Sequence, residues 1–166
     1  MKAAVATIIL ALGVCCSSGC SASDWQTFTD ANHEFSIDMP THVTTIIKDS
    51  GFPQYESRDG DISFTVSLNK RSTLSEKEEI DVFAKEFADT FESGMKKANY
   101  PVVRSIDKEV SGANWRGKLY QFDKADGSKT TIEVCVEPKH NIILYAFGGA
   151  LSDAKTKRFL QTFKVQ

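Results

Sequence analysis

Cysteine is nearly absent from the body of this chain. Three of its four cysteines, Cys15, Cys16 and Cys20, fall in the first twenty residues, and only Cys135 stands elsewhere. A single thiol builds no disulfide framework, so the folded part must be held by its core. A basic excess is also missing: twenty Lys and Arg face twenty-two Asp and Glu, for a formal charge of −2. Without a positive balance there is nothing to attract a phosphate backbone, which excludes nucleic acid as the expected partner. The apolar run from Ala3 to Val14 has twelve residues, short of the ~20 needed to span a bilayer. There is no Gly-x-Ser-x-Gly elbow, no Walker phosphate loop and no dinucleotide fingerprint. Gly148-Gly149 follows a strand and reads as a turn, since no glycine-rich repeat continues from it.

What is present suits a folded domain. The chain has 166 residues, 41% hydrophobic and 25% charged, which is enough apolar surface to offset the entropy of ordering one domain. Phe, Trp and Tyr make up 10% of it, and none precedes Trp25. The core-building material therefore lies beyond the amino-terminal segment. That segment opens with Lys2, runs apolar to Val14 and ends in small residues, Ser17-Ser18-Gly19-Cys20-Ser21-Ala22-Ser23. This is the layout of a secretory signal.

The end of the signal resembles a bacterial lipobox, in which a small residue precedes a cysteine that receives a diacylglycerol. Ser18 and Gly19 fit the positions before Cys20, while Ser17 departs from the aliphatic residue preferred there. The expectation is a signal peptide over 1–19, a lipidated Cys20 with a short tether over 20–24, and one domain over 25–166. Ordinary cleavage after Ser23 is the alternative, and it would give a soluble secreted or periplasmic protein. Either cut removes Lys2 and no other formal charge.

Periodicity maps the elements. Trp25 to Thr29 alternates weakly; Phe35, Ile37 and Met39 alternate with Ser36 and Asp38 until Pro40; Val43 to Lys48 is rich in β-branched residues. All three read as strands. Gly51-Phe52-Pro53 and Arg58-Asp59-Gly60-Asp61 read as breaks. In the next strand Ile62, Phe64, Val66 and Leu68 share one face, and Ser63, Thr65, Ser67 and Asn69 the other. A helix follows, capped at Ser75 with Glu78. Ile80, Phe83, Ala84, Phe87, Phe91 and Met95 form its apolar stripe, and Asn99 and Pro101 stop it. Because such a stripe must be buried to stabilise the helix, Phe83, Phe87 and Phe91 are expected in the core. Strands resume at Val102–Val110, Trp115–Asp123 and Ile132–Val136. The unalternating Ile142–Phe147 is expected to be central and covered on both faces. Short turns make this region an antiparallel meander. A last helix begins near Ser152 and carries Phe159 and Leu160.

This order of elements resembles the PsbP-like family, which includes the extrinsic photosystem II subunit and bacterial relatives such as DcrB-like lipoproteins. The carrying residues are Trp25-Gln26-Thr27-Phe28, Phe35-Ser36-Ile37-Asp38-Met39-Pro40, the Ile62–Leu68 strand, the long helix, the meander and the closing Phe159-Leu160-Gln161-Thr162-Phe163-Lys164-Val165. The resemblance covers nearly all of residues 25–165. It implies an α+β fold with a central antiparallel sheet flanked by helices, an α/β/α sandwich, and an accessory, assembly or binding role without catalysis.

The residues themselves offer no reaction. His33-Glu34 opens no metalloprotease motif, because Ile37 stands where the second histidine is needed. His33, His42 and His140 lie in separate segments and read as exposed loop histidines. Cys135 lies on the strand face opposite Ile132, Val134 and Val136, with Glu133 and Glu137 beside it, and negative neighbours disfavour a thiolate. Lys155, Lys157 and Arg158 form a basic cluster on the last helix, either a solvated face or a contact for anionic headgroups. No catalytic, cofactor-binding or metal residue is assigned, and no cofactor is expected. The reading is an exported envelope protein, anchored to a membrane through lipid on Cys20, acting on an unknown protein partner as a non-enzymatic binding or assembly module. The alternatives are an envelope enzyme, which needs titratable groups converging in a cleft, and a small-ligand carrier, which needs an apolar cavity between sheet and helix.

Overall fold

The computed structural model describes residues 24–49, 51–70, 77–97, 102–112 and 114–166. Ten strands and two helices are found among them. Seven strands make one antiparallel sheet. They are β3 (Thr44–Ile47), β4 (Pro53–Asp59), β5 (Ile62–Lys70), β6 (Val102–Ser111), β7 (Arg116–Lys124), β8 (Lys129–Val136) and β9 (His140–Phe147), in the order β3-β4-β5-β9-β8-β7-β6. A second sheet pairs β1 (Trp25–Asp30) and β10 (Lys164–Val165) with β2 (Phe35–Pro40). The fold class is therefore α+β and antiparallel. The meander runs through β6, β7, β8 and β9.

Register explains the two cores. On one face of the large sheet Phe64, Val66 and Leu68 of β5 stand opposite Ala146, Leu144 and Ile142 of β9. All six are fully buried. Phe35, Ile37 and Met39 of β2 close over this face, joined by Phe159 and Leu160 of helix α2 (Ala154–Gln161). Burying each large side chain of this kind contributes ~1.5–3 kcal/mol. On the other face Ile143 of β9 meets Val134 of β8, and Tyr120 and Phe122 of β7 complete a second cluster under helix α1 (Lys77–Lys97). β9 is thus central and buried on both faces, as its unalternating sequence requires. At Gly117 of β7 an added Cβ would lie 2.0 Å from the Val134 carbonyl oxygen, so the strands can approach there only without a side chain.

The differences from the sequence reading are local. The sequence shows only the two breaks that bound β4, because Gln54-Tyr55-Glu56-Ser57 contributes one large apolar residue. It forms because β3 and β5 pair with it on either side. The closing Lys164-Val165 pairs with Ser36 and Phe35 as a short strand. In α1 the buried positions are the small Ala84 and Ala88, with Phe87 and Phe91 partly covered, while Phe83 is 36% exposed. The stripe is therefore covered at Ala84 and from Phe87 onward, and open at Phe83. The expected cap at Ser75 and the stop at Asn99 and Pro101 lie outside the described residues.

Candidate functional site

The most concentrated group of titratable side chains joins the two sheets at one end of the molecule. β1 ends in Asp30, whose Oδ1 accepts the backbone amides of Asn32 (2.9 Å) and His33 (3.2 Å). Its Oδ2 bonds Nδ1 of His33 at 2.6 Å and accepts the hydroxyl of Tyr55 from β4. On the large sheet, the turn after β8 repeats the device. Glu137 Oε2 accepts the amide of Lys139 (2.8 Å), and Oε1 bonds Nδ1 of His140 at 2.5 Å. Two carboxylate-x-x-His turns thus face each other. Their imidazoles meet edge to face with centroids 5.2 Å apart, and Phe52 packs 6.4 Å from His33 and 6.3 Å from His140. Lys139 crosses to Glu34 at 2.6 Å, and the Gln166 amide donates to the Glu34 carbonyl at 2.7 Å.

This corrects the reading of the histidines as separate, exposed loop residues. His42 is exposed, with φ 71°, but His33 and His140 are half-buried partners. The overlooked signal was the repeated spacing, Asp30-x-x-His33 and Glu137-x-x-His140. Burial alone would raise the Asp30 carboxyl. Hydrogen bonds from Tyr55 and His33, the His33 charge and the Asn32 amide outweigh it and hold the group below its ordinary value. Burial and the Asp30 carboxylate push the Tyr55 phenol up. With each Nδ1 committed to a carboxylate, the cluster is built to clasp. Among the described residues no group of three or more His, Cys, Asp or Glu is arranged to hold a metal ion.

Cys135 lies on the face expected for it, but that face is the first core and not solvent. Its Sγ lies 3.4 Å from Glu133 Oε1. Burial, then the Glu133 charge and hydrogen bond, raise the thiol well above its ordinary value. Burial pushes Glu133 up to about 7, against the Cys135 hydrogen bond. A thiol so placed carries no thiolate at neutral pH. Gly148, at φ 85°, turns the chain after β9, and a Cβ on Gly149 would meet Thr156 Oγ1 at 2.3 Å. Gly149 packs against α2, and Gly148 against the Asp61 carbonyl.

A groove of about 770 Å³ runs between α1 and the β6–β7 side of the sheet. Asp81, Lys85 and Asp89 line it from the helix, and Arg116 and Lys118 from β7. Arg116 pairs with Asp81 at 3.0 Å and Lys118 with Glu92 at 2.7 Å. Ala84, Ala88 and Val110 also line the groove, so charged and apolar walls alternate.

The basic cluster of α2 sits beside the start of the fold. Lys155 pairs with Asp59 at 2.7 Å and Arg158 with Asp38 at 2.9 Å. The Arg158 guanidinium stacks 5.1 Å above the Trp25 ring. Trp25 donates its Nε1–H to Asp59 Oδ2 at 2.9 Å and packs edge-on against Phe64 at 5.1 Å. Cys20 lies outside the described residues. No helix among the described residues is long and apolar enough to cross a membrane.

No protein-family model matches the chain, and no curated protein matches it in sequence. Among solved structures, the chain is similar to cyanobacterial PsbP (CyanoP) from Synechocystis sp. PCC 6803, determined in solution. The match covers 93% of this chain and 99% of that one, at 14% identity and a TM-score of 0.52. The chain therefore has a PsbP-like fold.

Proposed function

We propose that the protein is an exported envelope lipoprotein, anchored through Cys20, whose single domain is a non-enzymatic binding or assembly module for a protein partner, with layers that correspond to an α/β/α sandwich. The observation that carries this reading is the position of Trp25. The indole is built into the fold through Phe64 and Asp59, and in the sequence only Ser21 to Asp24 separate it from Cys20. A tether of that length reaches ~14 Å at full extension and would hold the domain against the membrane that carries the lipid. The chemistry of the interior agrees. The Cys135 thiol is buried beside a carboxyl group, and the two histidines that meet are engaged in joining sheets.

Intact-mass and fractionation measurements test the anchor. The mature chain is expected to begin at a diacylglycerol-modified Cys20 and to sediment with membranes, and Cys20→Ala to release it or stall its processing. An unmodified amino terminus at Asp24 would sink the reading.

A further inference from the structure

We propose that the outer face of α2, extended by Lys164 of β10, is the membrane-facing surface of the domain, and that its ligands are anionic phospholipid headgroups. The proposal rests on the anchor at Cys20 and goes beyond it by assigning an orientation and a lipid chemistry. Three observations carry it.

The first is charge layering. α2 has no acidic residue between Ala154 and Gln161, and its exposed side includes Lys155, Lys157 and Arg158. Two of these cations have carboxylate partners, but the partners lie beneath them. Lys155 is 48% exposed over Asp59 at 7%, and Arg158 is 47% exposed over Asp38 at 17%. The carboxylates are inside and the cations outside, so the face presents positive charge although the chain as a whole is acidic. Lys157 and Lys164 are exposed and form no ion pair among the described residues. The other acids at this end are Asp153, whose Oδ2 is held by the Ala150 amide at 2.6 Å, and the exposed Asp24 and Asp61, the latter next to Gly60 beside Lys155.

The second observation is where the chain enters. Trp25, the first residue of β1, lies directly under Arg158, which puts the start of β1 at the edge of this face, with four residues of sequence between it and Cys20. The third is reach. Four extended residues span ~14 Å, which allows α2 to lie within the ~8 Å screening length of a charged surface at physiological salt. A tether converts headgroup contact into an intramolecular event at high effective concentration. A patch too weak to recruit a free protein can then orient an anchored one.

The test uses the full chain purified from cells and reconstituted through its anchor into vesicles of phosphatidylcholine, with or without phosphatidylglycerol. Surface amines are acylated and the modified lysines are read by peptide mass spectrometry, with Lys85 on α1 as internal reference. In vesicles containing phosphatidylglycerol, labelling of Lys157 and Lys164 should fall several-fold relative to Lys85, and added salt should restore it. A variant with Lys157→Glu and Lys164→Glu breaks no ion pair among the described residues, and its one charge effect inside the fold is on Asp38, which Lys164 helps to hold ionised. It should label Lys155 equally in both vesicle types. Equal labelling of Lys157 and Lys164 in the two vesicle types would overturn the proposal while leaving the anchor intact. Intact mass of the same preparation reports the lipid separately. An unmodified amino terminus would overturn the anchor and, with it, the tether on which the orientation depends.

Discussion

The rings of His33 and His140 meet edge to face at 5.2 Å, one from the small sheet and one from the large, each held by its own carboxylate. The contact is interior: removing the His140 ring takes the partner of the buried Glu137 Oε1, and removing the His33 ring leaves buried Asp30 Oδ2 with the Tyr55 hydroxyl alone. Asp30 is 6% exposed and Glu137 3%. His33→Ala or His140→Ala should each cost roughly 1–3 kcal/mol. The double variant should cost less than the two together, because each single change already loosens the same clasp. Urea midpoints of the three variants measure this, and strict additivity would show that the sheets are joined elsewhere.

Asp30 gives the clasp an acid limit. Its folded value is lowered, so its stabilisation is present above the unfolded carboxylate value and is lost as pH falls through the folded one. Asp30→Asn should flatten the acid side of the stability profile and leave its slope above pH ~5 unchanged. Unfolding followed at a series of pH values checks it.

Glu133 works in the opposite direction. Its folded value is raised to about 7 from 4.5, so the unfolded chain gives up this proton first. Stability linked to the group is fully present below pH ~4.5 and is lost as pH rises through ~7. A shift of that size corresponds to about 3 kcal/mol. Glu133→Gln should therefore match the parent at pH 4 and exceed it at pH 8. Equal stability of the two proteins at pH 8 would mean that water reaches the carboxylate.

Helix α1 offers a packing contrast. Phe87 is packed against the second core, whereas Val82 is 59% exposed. Phe87→Ala should cost roughly 2–4 kcal/mol and Val82→Ala under ~0.5. A loss under ~1 kcal/mol at Phe87 would mark the helix as loosely docked.

Cys135 is expected to be dispensable for function. Cys135→Ala, shown to be folded by circular dichroism, should complement a deletion strain fully. Complete loss of function in that folded variant would overturn the non-enzymatic reading and point to the Glu133–Cys135 pair.

Much of the architecture was legible because strands and helices announce themselves over a few residues. Phe64, Val66 and Leu68 alternate with Ser63, Thr65 and Ser67 whatever surrounds them, and Phe159-Leu160 falls at helical spacing. β4 was not legible. Tyr55 is its one large apolar side chain, and its strand conformation comes from hydrogen bonds to neighbours on both sides. The Phe83–Phe91 stripe was half legible, because spacing sets which residues share a side of a helix but not how far along the sheet that helix lies.

By itself the sequence determined the antiparallel α+β elements and a core without a disulfide framework. Each depends on composition or on a period of a few residues. Tertiary structure decided what those elements do to one another. It buried Cys135 beside Glu133, carried His140 across to His33, and set the cations of α2 outside Asp38 and Asp59 next to Trp25. These contacts join residues far apart in the chain, and their geometry follows from strand register and sheet order. No local pattern encodes either one.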